Sequence, residues 1–396
     1  MGASRPHRSE QVEATRRRAV LALCVTEITS WGTLYYSLPV ASAEIIAAEP
    51  WSPTAVAGAF SAGLLSSAVA GIAVGRWLDH AGPRVVMSAG SALGAIGLVL
   101  VAVAPSLQAF VGAWLVVGTA QAAALYQPAF TAIARWYGDD RTRPLTVLTL
   151  VAGFASTVFT PITAALATAW GWRPTYLTLA VILAAVTIPL HVFLLTPRWP
   201  RPVRRARRRA AHVAPVIRSR RFVILALGMT LLALGLYGVT LNAIALLTSR
   251  GVSSPAATAA FALIGVGQVL GRLAFAALPT ATTPPTRAMI VGAATATALG
   301  LLTALPGPVT ALIAAAVLAG AARGAYTLVQ ATAVADRWGT HRLGTLNGAL
   351  TAPITAATAI APATGVFLAA RLGSFTAAAA CLTATTLVGT LLVRRT

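Results

Sequence analysis

Glu27, Arg272 and Arg323 each stand inside a long apolar run, where an ionised side chain is costly unless it is neutralised, paired or wetted. Their types define the chemistry available. A carboxyl can hold a proton, and a guanidinium can grip a carboxylate through two parallel N–H bonds. At 1.5 Å per helical residue, Glu27 lies roughly 13 Å beyond Arg18. It is a proton site or a substrate contact, or else a structural carboxyl bonded to neighbouring helices. Arg323 is flanked by Gly320, Ala321, Ala322 and Gly324. Such small neighbours suit either an open cavity wall or a close interhelix brace. Arg272 follows Ser254 by 18 residues, whereas Arg76 follows Ser52 by 24. If the two serines mark equivalent helix entries, Arg272 is about 9 Å deeper than Arg76, a cavity position; the other reading is a degenerate turn. Gln268 lies one turn before it on the same face. Two buried arginines against one buried glutamate leave a negative charge to be supplied, and an anionic substrate supplies it.

Aromatic and amide side chains extend this list of contacts. Trp31, Tyr35 and Tyr36 follow Glu27, and Glu27, Trp31 and Tyr35 share one helical face at four-residue spacing. Tyr126 with Gln127, Tyr237 with Asn242, and Tyr326 with Gln330 complete a possible lining, each residue equally suited to packing. No phosphate-cradling loop, zinc-ligand spacing or serine–histidine pairing is present, so neither an enzyme nor a metal or other cofactor is expected. The five histidines (His7, His80, His191, His212 and His341) are expected mostly to border the cytoplasm. Cys24 and Cys381 lie within apolar runs and read as small hydrophobes.

The elements that must position these groups are membrane helices. The chain is 57% hydrophobic and only 10% charged, with a mean hydropathy of +0.77, whereas soluble domains carry about 25% charged residues. Twelve apolar stretches of bilayer-spanning length are predicted, near 19–41, 54–74, 85–103, 107–133, 145–167, 175–195, 222–248, 256–278, 288–305, 309–334, 343–369 and 374–393. This placement leaves 25 of the 30 arginines on one side and Arg173, Arg250 and Arg371 on the other. The crowded side is therefore expected to be cytoplasmic, with both termini there. The net charge of +21 is thus an orientation signal, and nucleic-acid binding is not expected. Residues 1–18 read as a cytoplasmic tail, 19–196 as one six-helix bundle, 197–221 as an arginine-rich linker that touches anionic lipid, and 222–396 as a second bundle. Trp136, Trp170, Trp172 and Trp338 read as interface anchors. Pro39, Pro128, Pro161, Pro353 and Pro362 read as kink sites.

An internal repeat supports two halves. At an offset of 202 residues Gly118 matches Gly320, Arg135-Trp136 matches Arg337-Trp338, and Gln121 falls opposite Arg323. The charged turn Gly75-Arg76-Trp77-Leu78-Asp79-His80-Ala81-Gly82-Pro83-Arg84 has a weakened second copy at Gly271-Arg272, without the aspartate.

That turn, Gly-x-x-x-Asp-x-x-Gly-x-Arg through Gly75, Asp79, Gly82 and Arg84, resembles the loop between spans two and three of major facilitator superfamily transporters. His80 and Pro83 stand where a basic residue is usual. The resemblance implies two pseudo-symmetric six-helix bundles around a central substrate site, with Asp79 latching one conformation through a helix N-terminus or an arginine. Glu27-Ile28-Thr29-Ser30-Trp31-Gly32 is partly similar to the first-span signature of the monocarboxylate porters. In their eighth span an Asp-x-x-x-Arg pair takes the proton and the carboxylate; here Gln268 replaces the aspartate and Arg272 is retained. The expectation is a monomeric, proton-coupled carrier of a small organic anion in the cytoplasmic membrane. Arg272 and Arg323 hold the anion, Glu27 handles the proton, and Gln268, Trp31, Tyr35, Tyr126, Gln127, Asn242 and Tyr326 line the site. The alternative is an efflux pump for drugs or toxic metabolites.

Overall fold

Long apolar segments cannot leave backbone N–H and C=O groups unbonded in lipid, so each must fold as a helix or join a closed barrel. The computed structural model describes residues 5–199, 214–275, 278–338 and 343–396, and among them every regular element is helical. Ten helical segments are long and apolar enough to cross a membrane. One of these, Pro53–Ala102, holds two crossings, because Gly82 interrupts it with φ 79° and ψ 170°. Another crossing precedes them, where Arg5–Ser30, Trp31–Tyr36 and Ser37–Ala48 follow one another without a gap. The result is an all-α membrane protein of twelve spans.

Numbered in chain order, span one is 5–48, and spans two and three are the parts of Pro53–Ala102 before and after Gly82. Span four comprises Leu107–Ala124 and Tyr126–Tyr137, span five Thr142–Ala152 and Ala155–Trp170, and span six Trp172–Leu194. Span seven comprises Arg220–Leu241 and Ala243–Thr248, and span eight is Ser254–Phe275. Span nine is Pro284–Ala304, and span ten comprises Val309–Thr332 and Ala335–Trp338. Span eleven is Leu343–Leu372 and span twelve Phe375–Val393. The helix of span one extends ahead of the expected apolar stretch 19–41, beginning at Arg5 and carrying an Arg17–Glu13 pair one turn apart at 3.1 Å. Of the arginine-rich stretch 197–221, residues 200–213 lie outside the described residues.

The chain forms two compact units, Met1–Glu44 with Ala62–Val203, and Ile45–Ser61 with Arg204–Thr396. Each is held by backbone-close helix pairs that only small residues allow. In the first unit a Cβ on Gly118 would run into the Gly63 carbonyl, so spans two and four touch there. In the second, a Cβ on Gly320 would run into the Ile264 carbonyl, which joins spans eight and ten in the same way. Gly118 and Gly320 are the matched positions of the repeat. The sequence repeat is therefore a repeat of helix contacts.

Side-chain type misled at several positions. Trp136 and Trp172 are each 3% exposed, whereas Trp170 is 60% exposed. Trp172 joins Phe110, Trp114 and Tyr176 in a ring cluster with centroids 6.1–6.3 Å apart, an edge-to-face core between spans four and six. Helix breaks fall at Leu125, at 153–154, at Asn242 and at 333–334. Of these breaks inside spans, only the first has a proline within a turn after it: Pro128 cannot bond back to Ala124 and disturbs the turn before it. Pro353 and Pro362 lie inside an unbroken helix.

Candidate functional site

In the first unit the chain around Glu27 winds differently from an ordinary helix. Residues Trp31–Tyr36 form a π-helix, with Gly32–Tyr36 buried. Such wide turns leave the regular hydrogen-bond ladder and are frequent at functional sites. Two neighbours hold this one. Gln121 Nε2 donates to the Leu34 carbonyl at 2.8 Å, and the Phe159 ring fills the space a side chain at Gly32 would need. Gln121, the expected neutral counterpart of Arg323, is thus committed to span-one backbone.

The π-helix gathers rings around one indole. Trp31 meets Tyr35 edge-on at 5.0 Å and lies 4.9 Å from Tyr126 and 6.4 Å from Tyr36. Tyr126 in turn stacks on Phe130 at 4.9 Å. Tyr126 and Gln127 begin a new helix because Leu125 is extended (φ −96°, ψ −166°). Trp31 and Tyr126 are half-buried and Gln127 exposed. Glu27 lies one turn below, completely buried. Its Oε2 accepts from Trp31 Nε1 at 3.0 Å, while Oε1 has no hydrogen-bond partner among the described residues.

The second unit holds the arginines. Arg323 and Arg272 are 3% and 8% exposed, and Gln268 is 5% exposed. Cβ atoms on Gly267, Gly271 and Gly324 would strike the backbones of Val317, Ala321 and Gln268 respectively, so spans eight and ten meet along a seam. That seam sets Arg323, next to Gly324, against the turn that carries Gln268. Gln268 Nε2 has no hydrogen-bond partner among the described residues. The Arg323 guanidinium lies over the Tyr237 ring, 4.5 Å from its centroid, an arrangement that favours a cation. Two residues of the expected lining are committed to structure. Tyr326 donates its hydroxyl to Met229 O at 2.8 Å, and Asn242 Nδ2 donates to Gly238 O at 2.8 Å and Pro362 O at 3.2 Å. The Glu27 group thus belongs to one unit, and the arginines, Gln268, Asn242 and Tyr326 to the other.

The turn motif divides by residue. Gly82 has the left-handed φ that only glycine adopts freely, whereas Gly75 is helical with open space around it. The arginine that reaches Asp79 Oδ1 is Arg135, at the far end of span four. Arg84 is exposed. In the second unit the weakened copy places Phe275 where the first has Asp79, and the charges are exchanged. Arg287 of span nine donates to Asp336 Oδ2 at 2.7 Å and lies 6.0 Å over the Phe275 ring. Arg337, the repeat partner of Arg135, instead donates to Thr396 Oγ1 at 3.2 Å. Sequence alignment of the halves signalled the missing aspartate but not its exchanged replacement. His191 was also missed. It lies in the last turn of span six but is fully buried, with Nδ1 3.1 Å from Ser91 Oγ.

No curated protein sequence matches this chain. Among solved structures, a crystal structure of a variant of the nucleoside transporter NupG is similar in fold. The TM-score is 0.76 at 12% identity, over 95% of this chain and 98% of that one. The family model of the Major Facilitator Superfamily matches residues 20–284. Twelve spans, paired small-residue contacts in the two halves and this match establish that the chain belongs to the Major Facilitator Superfamily, whose members are membrane transporters.

Proposed function

We propose that this protein is a secondary transporter of a small organic anion, driven by a proton gradient and working by alternating access. The observation that carries the reading is the charge within spans seven to twelve. Arg272 and Arg323 are buried in spans eight and ten. The only acidic residue in spans seven to twelve is Asp336, which serves Arg287. A carboxylate on the solute balances the surplus, and a guanidinium is suited to grip it. Gln268 Nε2, one turn from Arg272, adds a neutral donor for a second acceptor on the solute. Glu27 is the proton site: a fully buried carboxyl with one unbonded oxygen is costly as an anion, and a proton removes that cost. The arginine distribution supports a cytoplasmic location for both termini and for the stretch 197–221.

A second reading rests on the rings around Trp31. Trp31, Tyr35 and Tyr126 offer π-faces to a planar solute, and a nucleoside is what the structurally similar NupG carries by name. Uptake of labelled pyruvate and of labelled uridine into proteoliposomes under an imposed pH gradient separates the two. The anion reading expects pyruvate uptake that collapses at least tenfold in Arg272→Ala. Uridine uptake unaffected by Arg272→Ala supports the second reading and removes the first.

A further inference from the structure

The segment that leaves span six ends, among the described residues, at Trp199, and this indole meets Asp79, Gly82 and Arg135 of the turn latch. In an uninterrupted helix the carbonyl of Asp79 would accept from the N–H of residue 83. Residue 83 is proline, which has no N–H, and Gly82 turns the chain away with φ 79°. Trp199 Nε1 donates to that carbonyl at 3.2 Å. The same ring lies under Arg135, whose guanidinium carbon is 4.5 Å from the ring centroid while its Nη2 donates to the Asp79 carboxylate. The absent side chain of Gly82 leaves the room, since a Cβ there would come within 3.1 Å of Trp199 Cγ. The ring also packs against two buried clusters, one of Leu78, Val86 and Ala123 and a larger one that includes Trp136 and Leu195.

We infer that Trp199 is the positioning residue of this latch. It supplies the donor that Pro83 removes, and it carries Arg135 onto Asp79. The chain emerging from span six therefore holds the turn between spans two and three in the conformation described, and that turn loosens only when Trp199 withdraws. The role is independent of which solute is carried. It assigns a purpose to Pro83, the departure from the family's turn pattern that otherwise removes a backbone bond for nothing.

Hydrogen–deuterium exchange of the full-length protein in detergent tests this without a substrate. Exchange in 75–84 is expected to rise about tenfold in Trp199→Ala and by less in Trp199→Phe, which keeps the ring under Arg135 but loses the N–H. Exchange in span nine, 284–304, serves as the control and is expected to stay unchanged. Asp79→Asn combined with Trp199→Phe is expected to loosen 75–84 no more than the larger single effect, because both act on one latch. Unchanged exchange in 75–84 for both tryptophan variants overturns the inference. So does an equal rise in 284–304, which is the behaviour of a residue that merely fills space, and so do additive effects in the double variant.

Discussion

At the scale of single residues, the two groups of buried polar side chains differ in how their hydrogen bonds are used. Tyr326 and Asn242 spend theirs on backbone carbonyls and so tie spans seven, ten and eleven together. Glu27 and Gln268 each keep one buried atom without a hydrogen-bond partner. An unmade bond in a buried place typically costs about 1–3 kcal/mol, a cost that selection removes unless a ligand or a proton makes the bond in another state. Glu27→Gln keeps the shape and an acceptor for Trp31 but cannot exchange a proton at that site. It is expected to abolish gradient-driven solute uptake in proteoliposomes while leaving solute exchange within about twofold of the unaltered protein. Gradient-driven uptake that survives the substitution removes Glu27 from coupling.

At the scale of elements, the decisive contacts are those where helix backbones meet. Gly118 faces the Gly63 carbonyl directly, whereas Gly112, less than two turns earlier on the same helix, has nothing near it. The two glycines make a matched test. Gly112→Ala is expected to leave the thermal midpoint unchanged or slightly raised, since alanine favours a helix by about 0.5–1 kcal/mol. Gly118→Ala forces spans two and four apart and is expected to destabilise by about 1–3 kcal/mol, read as a lower midpoint in a thermal-shift assay of the purified protein. Equal midpoints in the two variants would show that the 2–4 contact does not set stability. The π-helix of span one belongs to the same scale. Its wide turn persists because Gln121 bonds the Leu34 carbonyl and Phe159 occupies the gap at Gly32.

At the scale of the whole molecule, the arginine distribution carries the proposed orientation. Arg173 and Arg250, on the sparsely charged side, are both used to cap carbonyls at helix ends, Ala102 for one and Leu302 and Leu305 for the other. In the proposed orientation the many arginines opposite are the retention signal. With native Cys24 and Cys381 replaced by serine, a single cysteine at Arg173 is expected to react with a membrane-impermeant maleimide added to intact cells. One at Arg84 is expected to react only in inverted vesicles. The reverse pattern overturns the orientation. Each half pairs an arginine with an aspartate near the end of its fourth helix, Asp79 with Arg135 in one and Arg287 with Asp336 in the other, but the first pair starts from span two and the second from span nine.

The sequence by itself determined that this is a membrane protein of twelve helices in two related halves, because hydropathy over a bilayer's width and the spacing of Gly118 and Gly320 are local properties of the chain. It also singled out Glu27, Arg272 and Arg323, since a charge in an apolar run is visible without coordinates. Only the tertiary structure decided what those side chains and their neighbours do. That Gln121 serves span one, that Trp136 and Trp172 face inward, that Arg287 pairs with Asp336 and that Trp199 completes a bond denied by Pro83 all depend on contacts between residues far apart in the chain. A side chain's type fixes which bonds it can make; packing between helices fixes which partner is within reach, and helical periodicity carries no record of that.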